Sequence, residues 1–310
     1  MRLFRYRSST LSNVGLANLA VVYVVWSSTY LAIRVGVAAD GGFSPLAMGA
    51  FRLLVAGALL LGFALFRGFR IRLSKSELYA LSITSILLWV VCTGGVMWAE
   101  QHANSGFAAL VLATSPIVVA LLNYRLLQQI PSKLLLGALI FSLAGLGLLM
   151  TPALLSGTST EMAAGLVLFL CAVAWSVGTV FQSHHPLDLR AIVISGYQQL
   201  IGGGIFAFLM LVLREPLPHP GIKAWSAMAY LIVFGSILAF TAFVNALNLL
   251  PINITMTYSY VNPVLALFLG WWLLAEPITG WTLMGAAMVI MGVVGVFRDR
   301  SQLVEGLEKA

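Results

Sequence analysis

Charge is what this sequence has least of. Only 9% of its 310 residues are Asp, Glu, Lys or Arg, against about 25% in a typical soluble domain. So few charges cannot cover a water-soluble globule. With 60% hydrophobic residues and a mean hydropathy of +0.98, the chain is suited to a bilayer. Cysteine is scarcer still. Cys92 and Cys171 both fall inside apolar runs and read as small packing residues, not as a disulfide pair. Acidic residues are missing from the middle of every apolar run, since Glu100, Glu161 and Glu276 sit near run ends, as do His102, His184 and His185. No acid/base pair or nucleophile–base set can be assembled at one depth, which argues against an enzyme. Adjacent side chains such as His184 and His185 point in different directions on a helix, so metal ligation lacks support. A phosphate-cradling glycine loop would need a preceding strand and a soluble site, and the chain offers neither. Neither a cofactor nor a metal is expected.

Long apolar runs are abundant. A hydrocarbon core roughly 30 Å thick needs about 20 residues of helix, and the runs predict ten such helices: 14–38, 45–66, 77–98, 104–124, 132–152, 162–182, 190–213, 225–247, 252–274 and 279–297. A spanning β-barrel would instead show alternating segments of about 10 residues. The arginines before the first run do not make it a signal peptide, because it is long and lacks a small-residue cleavage site; it is expected to stay as the first helix.

The net charge of +7 could suggest a nucleic-acid partner, but the basic residues lie in short loops between apolar runs. That is the mark of orientation in a membrane, so no nucleic acid is expected. With the N-terminus inside, the outer loops hold only Arg214 and Lys223, Arg34 and Arg52 lie within runs, and the rest of the 17 Lys and Arg are internal. Both termini are then cytoplasmic, with the bias carried mainly by the first half.

The chain is also written twice. Laying Asn262-Pro263 on Ser115-Pro116 puts Leu273-Leu274 on Leu126-Leu127 and Glu276 on Gln129. Upstream, Trp175-Ser176 falls on Trp26-Ser27, and Tyr197-Gln198 falls on Phe51-Arg52. Such self-similarity marks an internal repeat. The copies are 14–152 and 162–297, five helices each, separated by a Gly/Ser/Thr linker. An odd number of spans makes the second copy enter from the opposite face. Inverted repeats place a substrate path at their interface, where the halves rock about a site near the midplane.

Two five-helix copies, a Trp-Ser pair in the first helix of each, a proline within the fourth helix of each and the closing Leu273-Leu274-Ala275-Glu276-Pro277 together resemble the drug/metabolite transporter superfamily. Within it, the chain is similar to the EamA-domain exporters, a group that includes bacterial exporters of amino acids. The resemblance covers about 14–297 and implies an all-α membrane fold of ten helices in two inverted repeats. It also implies a central cavity lined by helices 1 to 4 and 6 to 9, with helices 5 and 10 behind. Gln128-Gln129 stands where the first copy of the family pattern has an acidic residue, so Glu276 alone carries that position.

The cavity-facing helices are expected to supply Trp26, Tyr30, Trp89, Trp98, Trp175, Tyr197, Tyr258 and Tyr260, with the amides Gln198, Asn245 and Asn262. A mostly apolar wall with scattered hydrogen-bonding groups suits a flat apolar solute with one polar end. Hydrophobic and aromatic amino acids are the expected cargo, and lipophilic cations or other drugs the alternative; an intramembrane enzyme or a structural subunit is more distant. Pro116 and Pro263 each remove a backbone donor and kink their helices, bordering the path either as hinges or as static bends satisfied by Ser115 or Asn262. Arg52, about 12 Å into helix 2, needs a partner there. It either anchors a substrate carboxylate or bonds backbone carbonyls between helices, and its neutral counterpart Gln198 favours the second reading. Arg34 is expected to snorkel to the outer surface, and the glycines of helices 5, 7 and 10 to permit close packing. Transport is expected to run down the substrate's gradient or to couple through a terminal group. The partners foreseen are a small-molecule substrate and lipid around a monomer in a bacterial inner membrane.

Overall fold

The computed structural model describes residues 12–126, 132–149, 151 and 159–308. Among them ten apolar helices follow one another: α1 Asn13–Gly36, α2 Pro45–Phe66, α3 Lys75–Ala99, α4 Ser105–Leu112 and Ser115–Leu126, α5 Lys133–Leu149, α6 Ser159–His184, α7 Ala191–Val212, α8 Ile222–Leu249, α9 Ile252–Thr255 and Tyr258–Leu274, and α10 Gly280–Glu308. No strand occurs among the described residues. Seven of the helices are long and apolar enough to cross a membrane, and the segments at α5, α9 and α10 are shorter apolar helices. α10 runs on past residue 297, where the last apolar run ends; the Gln, Leu and Glu residues that follow are good helix formers, and no proline interrupts them.

Local sequence explains where the helices begin. Ser12, Ser44 and Ser74 each accept a backbone N–H in the first turn of α1, α2 and α3. Pro45 sits where its missing donor costs nothing. Glu77 reaches back to the Ser74 backbone and completes a capping box, and it also pairs with Arg70 at 2.8 Å.

The packing maps onto itself when the two copies are exchanged. α1 packs on α8 and α9, and α6 on α3 and α4; α2 packs on its counterpart α7, and α5 on its counterpart α10. That is the pattern a two-fold axis relating the repeats requires. The self-paired contacts rest on glycine. A Cβ on Gly203 would stand 2.8 Å from the Leu54 backbone nitrogen, and one on Gly285 would stand 2.9 Å from the Gly145 carbonyl. Small residues let backbones approach in lipid, where dispersion and hydrogen bonds hold helices together. The outward surface carries exposed Leu59, Phe63, Phe66, Phe208, Leu211 and Trp272, an apolar surface suited to lipid.

Two departures from regular helix recur in both copies. α3 is π-helical over Ile86–Thr93, and α8 over Leu231–Ala239. The fourth helices, α4 and α9, are interrupted, at Ala113-Thr114 and Met256-Thr257. The interruption lies next to Ser115-Pro116 in α4 but about one turn further from Asn262-Pro263 in α9. π-helical turns are rare and concentrate at functional sites.

Candidate functional site

Helices α3, α4, α8 and α9 meet α1, α2 and α6 around a central cavity with about 690 Å³ of space between atoms, its mouth included, and the irregular stretches of α3 and α4 form part of its lining. Side chains at helical spacing form its walls: Trp26, Thr29, Tyr30 and Ile33 from α1, and Trp89, Cys92, Thr93 and Val96 from α3. Each set follows the i, i+3, i+4, i+7 spacing of one helix face. Arg52, Ser115, Trp175 and Phe240 add to the lining, as do Tyr258, Ser259, Asn262 and Pro263 of α9.

The aromatic side is tightly interlocked. Trp26 meets Trp175 edge-on with ring centroids 5.3 Å apart, and Tyr258 likewise at 5.2 Å. Trp175 Nε1 donates to the Tyr258 hydroxyl at 2.7 Å, which satisfies a polar group that would otherwise cost energy in an apolar wall. The wide π turn of α8 exposes carbonyls that an α-helix would use internally. Trp26 Nε1 donates to Gly235 O at 3.4 Å, and Gln199 Nε2 to Ser236 O at 3.2 Å.

The repeated motifs are joined crosswise. Ser27 donates to Asn262 Oδ1 at 3.1 Å, while Ser176 donates to the Ser115 carbonyl at 3.0 Å. Each Trp-Ser pair thus contacts the residue before the proline in the other copy. Pro116 opens the second segment of α4, and Ser115 Oγ donates to Leu112 O, the carbonyl left by the missing proline N–H, at 2.7 Å. Pro263 lies within a continuous segment of α9 and lines the cavity.

The structure brings Trp26, Tyr30, Trp175, Tyr258 and Asn262 together at this cavity, and it positions four other sequence-predicted residues elsewhere. Trp98 packs edge-on against His102, with centroids 5.1 Å apart. It is not among the residues that line the cavity, although Trp89 of the same helix is. Tyr197 donates from its hydroxyl to Ile71 O at 2.8 Å. Gln198 is buried away from the cavity, donating to Thr84 Oγ1 at 2.6 Å and to Gln182 Oε1 at 2.9 Å. Asn245 donates to Asn18 Oδ1 at 3.5 Å. The side chain of Tyr260 lies outside the described residues. The Arg34 guanidinium donates to the Glu100 carbonyl, where α3 turns toward α4.

Two buried charges show more than the sequence suggested. Arg52 bonds a side chain of α8, its Nε donating to Ser236 Oγ at 2.8 Å, and no partner meets its Nη1. Glu100, read as a residue at a helix end, is fully buried, with both carboxylate oxygens unpartnered. It lies where α3 turns toward α4, inside the packing of α1, and its position in the sequence gives no sign of that.

A ten-helix apolar bundle with an aromatic-walled central cavity between crosswise-matched helices is the architecture of a membrane transporter. The chain matches the sequence profile of the EamA-like transporter family twice, over residues 13–151 and 162–298, and belongs to that family. It is 31% identical over 278 residues to the "Uncharacterized inner membrane transporter YedA" of Escherichia coli (strain K12), which spans 89% of this chain and 88% of that protein. The "Uncharacterized transporter YoaV" of Bacillus subtilis (strain 168) is 23% identical over 277 residues, covering 88% of this chain and 92% of the relative. A solved structure at 22% identity superposes with a TM-score of 0.66 over 93% of this chain and 98% of the other, which bears on the fold alone. The chain is therefore a multi-pass membrane transporter and not an enzyme.

Proposed function

We propose that this protein exports hydrophobic and aromatic amino acids across a bacterial inner membrane, as a monomer with both termini in the cytoplasm. Transport proceeds by alternating access, with the two repeats rocking about the cavity. The observation that carries this reading is the composition of the cavity wall. Trp26, Tyr30, Trp89, Trp175, Phe240 and Tyr258 present ring faces and edges, interspersed with Thr29, Ser259 and Asn262. Aromatic contacts contribute only about 0.5 to 1.5 kcal/mol each, so affinity is low and release is easy, as an exporter requires. The inner-membrane location follows the printed description of the Escherichia coli relative and the positive loops expected inside.

The test is uptake into liposomes containing the purified protein, with Phe, Trp and Leu offered beside a lipophilic cation. Trp175→Ala and Tyr258→Ala are expected to cut transport of the amino acids several-fold, and Trp98→Ala to leave it within about twofold. Uptake of the cation alone, or equal loss in all three variants, would refute the reading.

A further inference from the structure

Most of the cavity wall is neutral, and one part of it is not. Arg52 is 4% exposed and lines the cavity, yet its Nη1 has no hydrogen-bond partner. Its Nε is fixed by Ser236 at 2.8 Å, and the guanidinium carbon stands 5.5 Å from the centre of the Trp89 ring. Trp89 is 3% exposed, also lines the cavity, and its indole Nε1 is likewise unpartnered. Two neighbouring side chains thus each carry a buried donor without an acceptor. Buried donors without acceptors are costly and uncommon, and a buried cation without a counter-ion is costlier still.

No carboxylate of the described residues lies within ion-pair distance of Arg52; the ion pair found joins Arg70 and Glu77. The buried carboxyl of Glu100 has both oxygens unpartnered, so it forms no hydrogen bond with Arg52 either. The opposite copy supplies no second charge either. Gln198, the counterpart of Arg52 in the repeat, is held by Thr84 and Gln182 away from the cavity. Among the described residues that line the cavity Arg52 is the one cation, set beside aromatic surface and held in place by a hydrogen bond rather than neutralised by one.

We infer that Arg52 and Trp89 form the binding subsite for the carboxylate of an aromatic or apolar solute, with Arg52 Nη1 and Trp89 Nε1 as its two donors. The inference rests on the proposed export of amino acids and makes it more specific: the cavity selects for a carboxylate and against lipophilic cations, which the guanidinium repels. The bond from Ser236 leaves Arg52 pre-oriented, so little side-chain freedom is lost on binding. A guanidinium and an indole N–H each donate in a plane, a geometry that a carboxylate with two oxygens can accept from both.

The experiment uses the detergent-purified full-length protein, titrated with 3-phenylpropionate and with phenethylamine while thermal unfolding and tryptophan fluorescence are followed. The two probes share a ring and chain length and differ in the sign of their charge. The carboxylate is expected to bind at least about tenfold more tightly than the amine, and Arg52→Gln to remove about tenfold or more of that affinity. Should Arg52→Gln fail to fold, Trp89→Phe keeps an aromatic side chain and removes one donor; it is expected to weaken the carboxylate several-fold and to change binding of the amine far less. Equal binding of the two probes to the unaltered protein, or carboxylate binding indifferent to both substitutions, would overturn the inference. Binding of 3-phenylpropionate that depends on Arg52, with no movement of Phe, Trp or Leu in liposomes, would support the subsite and defeat the amino-acid reading alone.

Discussion

Ser27 of α1 donates to Asn262 of α9 at 3.1 Å across 235 positions of sequence, and Ser176 of α6 repeats the contact with the Ser115 carbonyl of α4 at 3.0 Å. The serine of each Trp-Ser pair thus touches the residue before the proline of the opposite copy. Each hydroxyl shares its one proton with the carbonyl one turn back in its own helix, Tyr23 at 2.5 Å and Ala172 at 2.6 Å. Seats of this kind hold each first helix against the irregular fourth helix that borders the cavity.

The strength of the Ser27–Asn262 contact can be measured with a double-mutant cycle of Ser27→Ala and Asn262→Ala, read by thermal or denaturant unfolding in detergent. Interhelical hydrogen bonds in membrane proteins average about 0.6 kcal/mol, because the separated helices find other partners. A coupling energy near that value is expected. A coupling indistinguishable from zero would mean that the two side chains do not interact in the folded protein.

The glycines of α5 and α10 are not equivalent, although the sequence presents them alike. A Cβ on Gly145 would lie 2.7 Å from Met288 Cβ and 3.0 Å from the Gly285 carbonyl, whereas Gly137 and Gly147 have nothing within 4 Å. Gly145→Ala and Gly285→Ala are expected to destabilise by about 1 to 3 kcal/mol through overpacking. Gly147→Ala, in the same helix and with open space around it, is expected to be neutral or stabilising by up to about 1 kcal/mol. Unfolding midpoints of the three variants decide the matter, and equal losses would refute the assigned packing.

Glu276 closes α9 over the start of α4. It accepts from Ser105 N at 2.9 Å, from Ser105 Oγ at 2.9 and 2.8 Å, and from Gly106 N at 3.3 Å. A carboxylate on otherwise unpaired first-turn N–H groups also meets the positive end of the helix dipole. Ala275 adopts φ +53° to swing Glu276 into place, a left-handed conformation that favours glycine. Glu276→Ala is therefore expected to cost about 1 to 2 kcal/mol, and Ala275→Gly to add up to about 1 kcal/mol of stability. A destabilising Ala275→Gly, measured by thermal unfolding, would contradict the strain.

Some of the site was within reach of the sequence. The cavity stripes Trp26, Thr29, Tyr30, Ile33 and Trp89, Cys92, Thr93, Val96 both keep the i, i+3, i+4, i+7 spacing, and Trp98 falls outside the second stripe. Choosing aromatic residues by type rather than by face is what placed Trp98 beside Trp89 in the sequence-based expectation. Tyr197 and Gln198 sit on α7 and are held by Ile71 and by Thr84 and Gln182. Those partners are distant in sequence, and no local pattern reveals them.

The bilayer as solvent, the run of helices and the internal duplication were determined by the sequence alone, because each depends on residues near one another or on a linear offset. Burial in lipid requires only long apolar runs, and a repeat is visible without knowing what either copy touches. Which polar groups ended without partners was decided by the tertiary structure. Arg52 was legible as a buried charge, but whether its guanidinium met a carbonyl, a carboxylate or open space depended on α8, 184 residues away at Ser236. Glu100 lay at a helix end in the sequence, and the packing of α1 against the start of α4 is what removed it from solvent. Electrostatic fate in a membrane protein depends on contacts between distant segments, and only the folded chain brings those segments together.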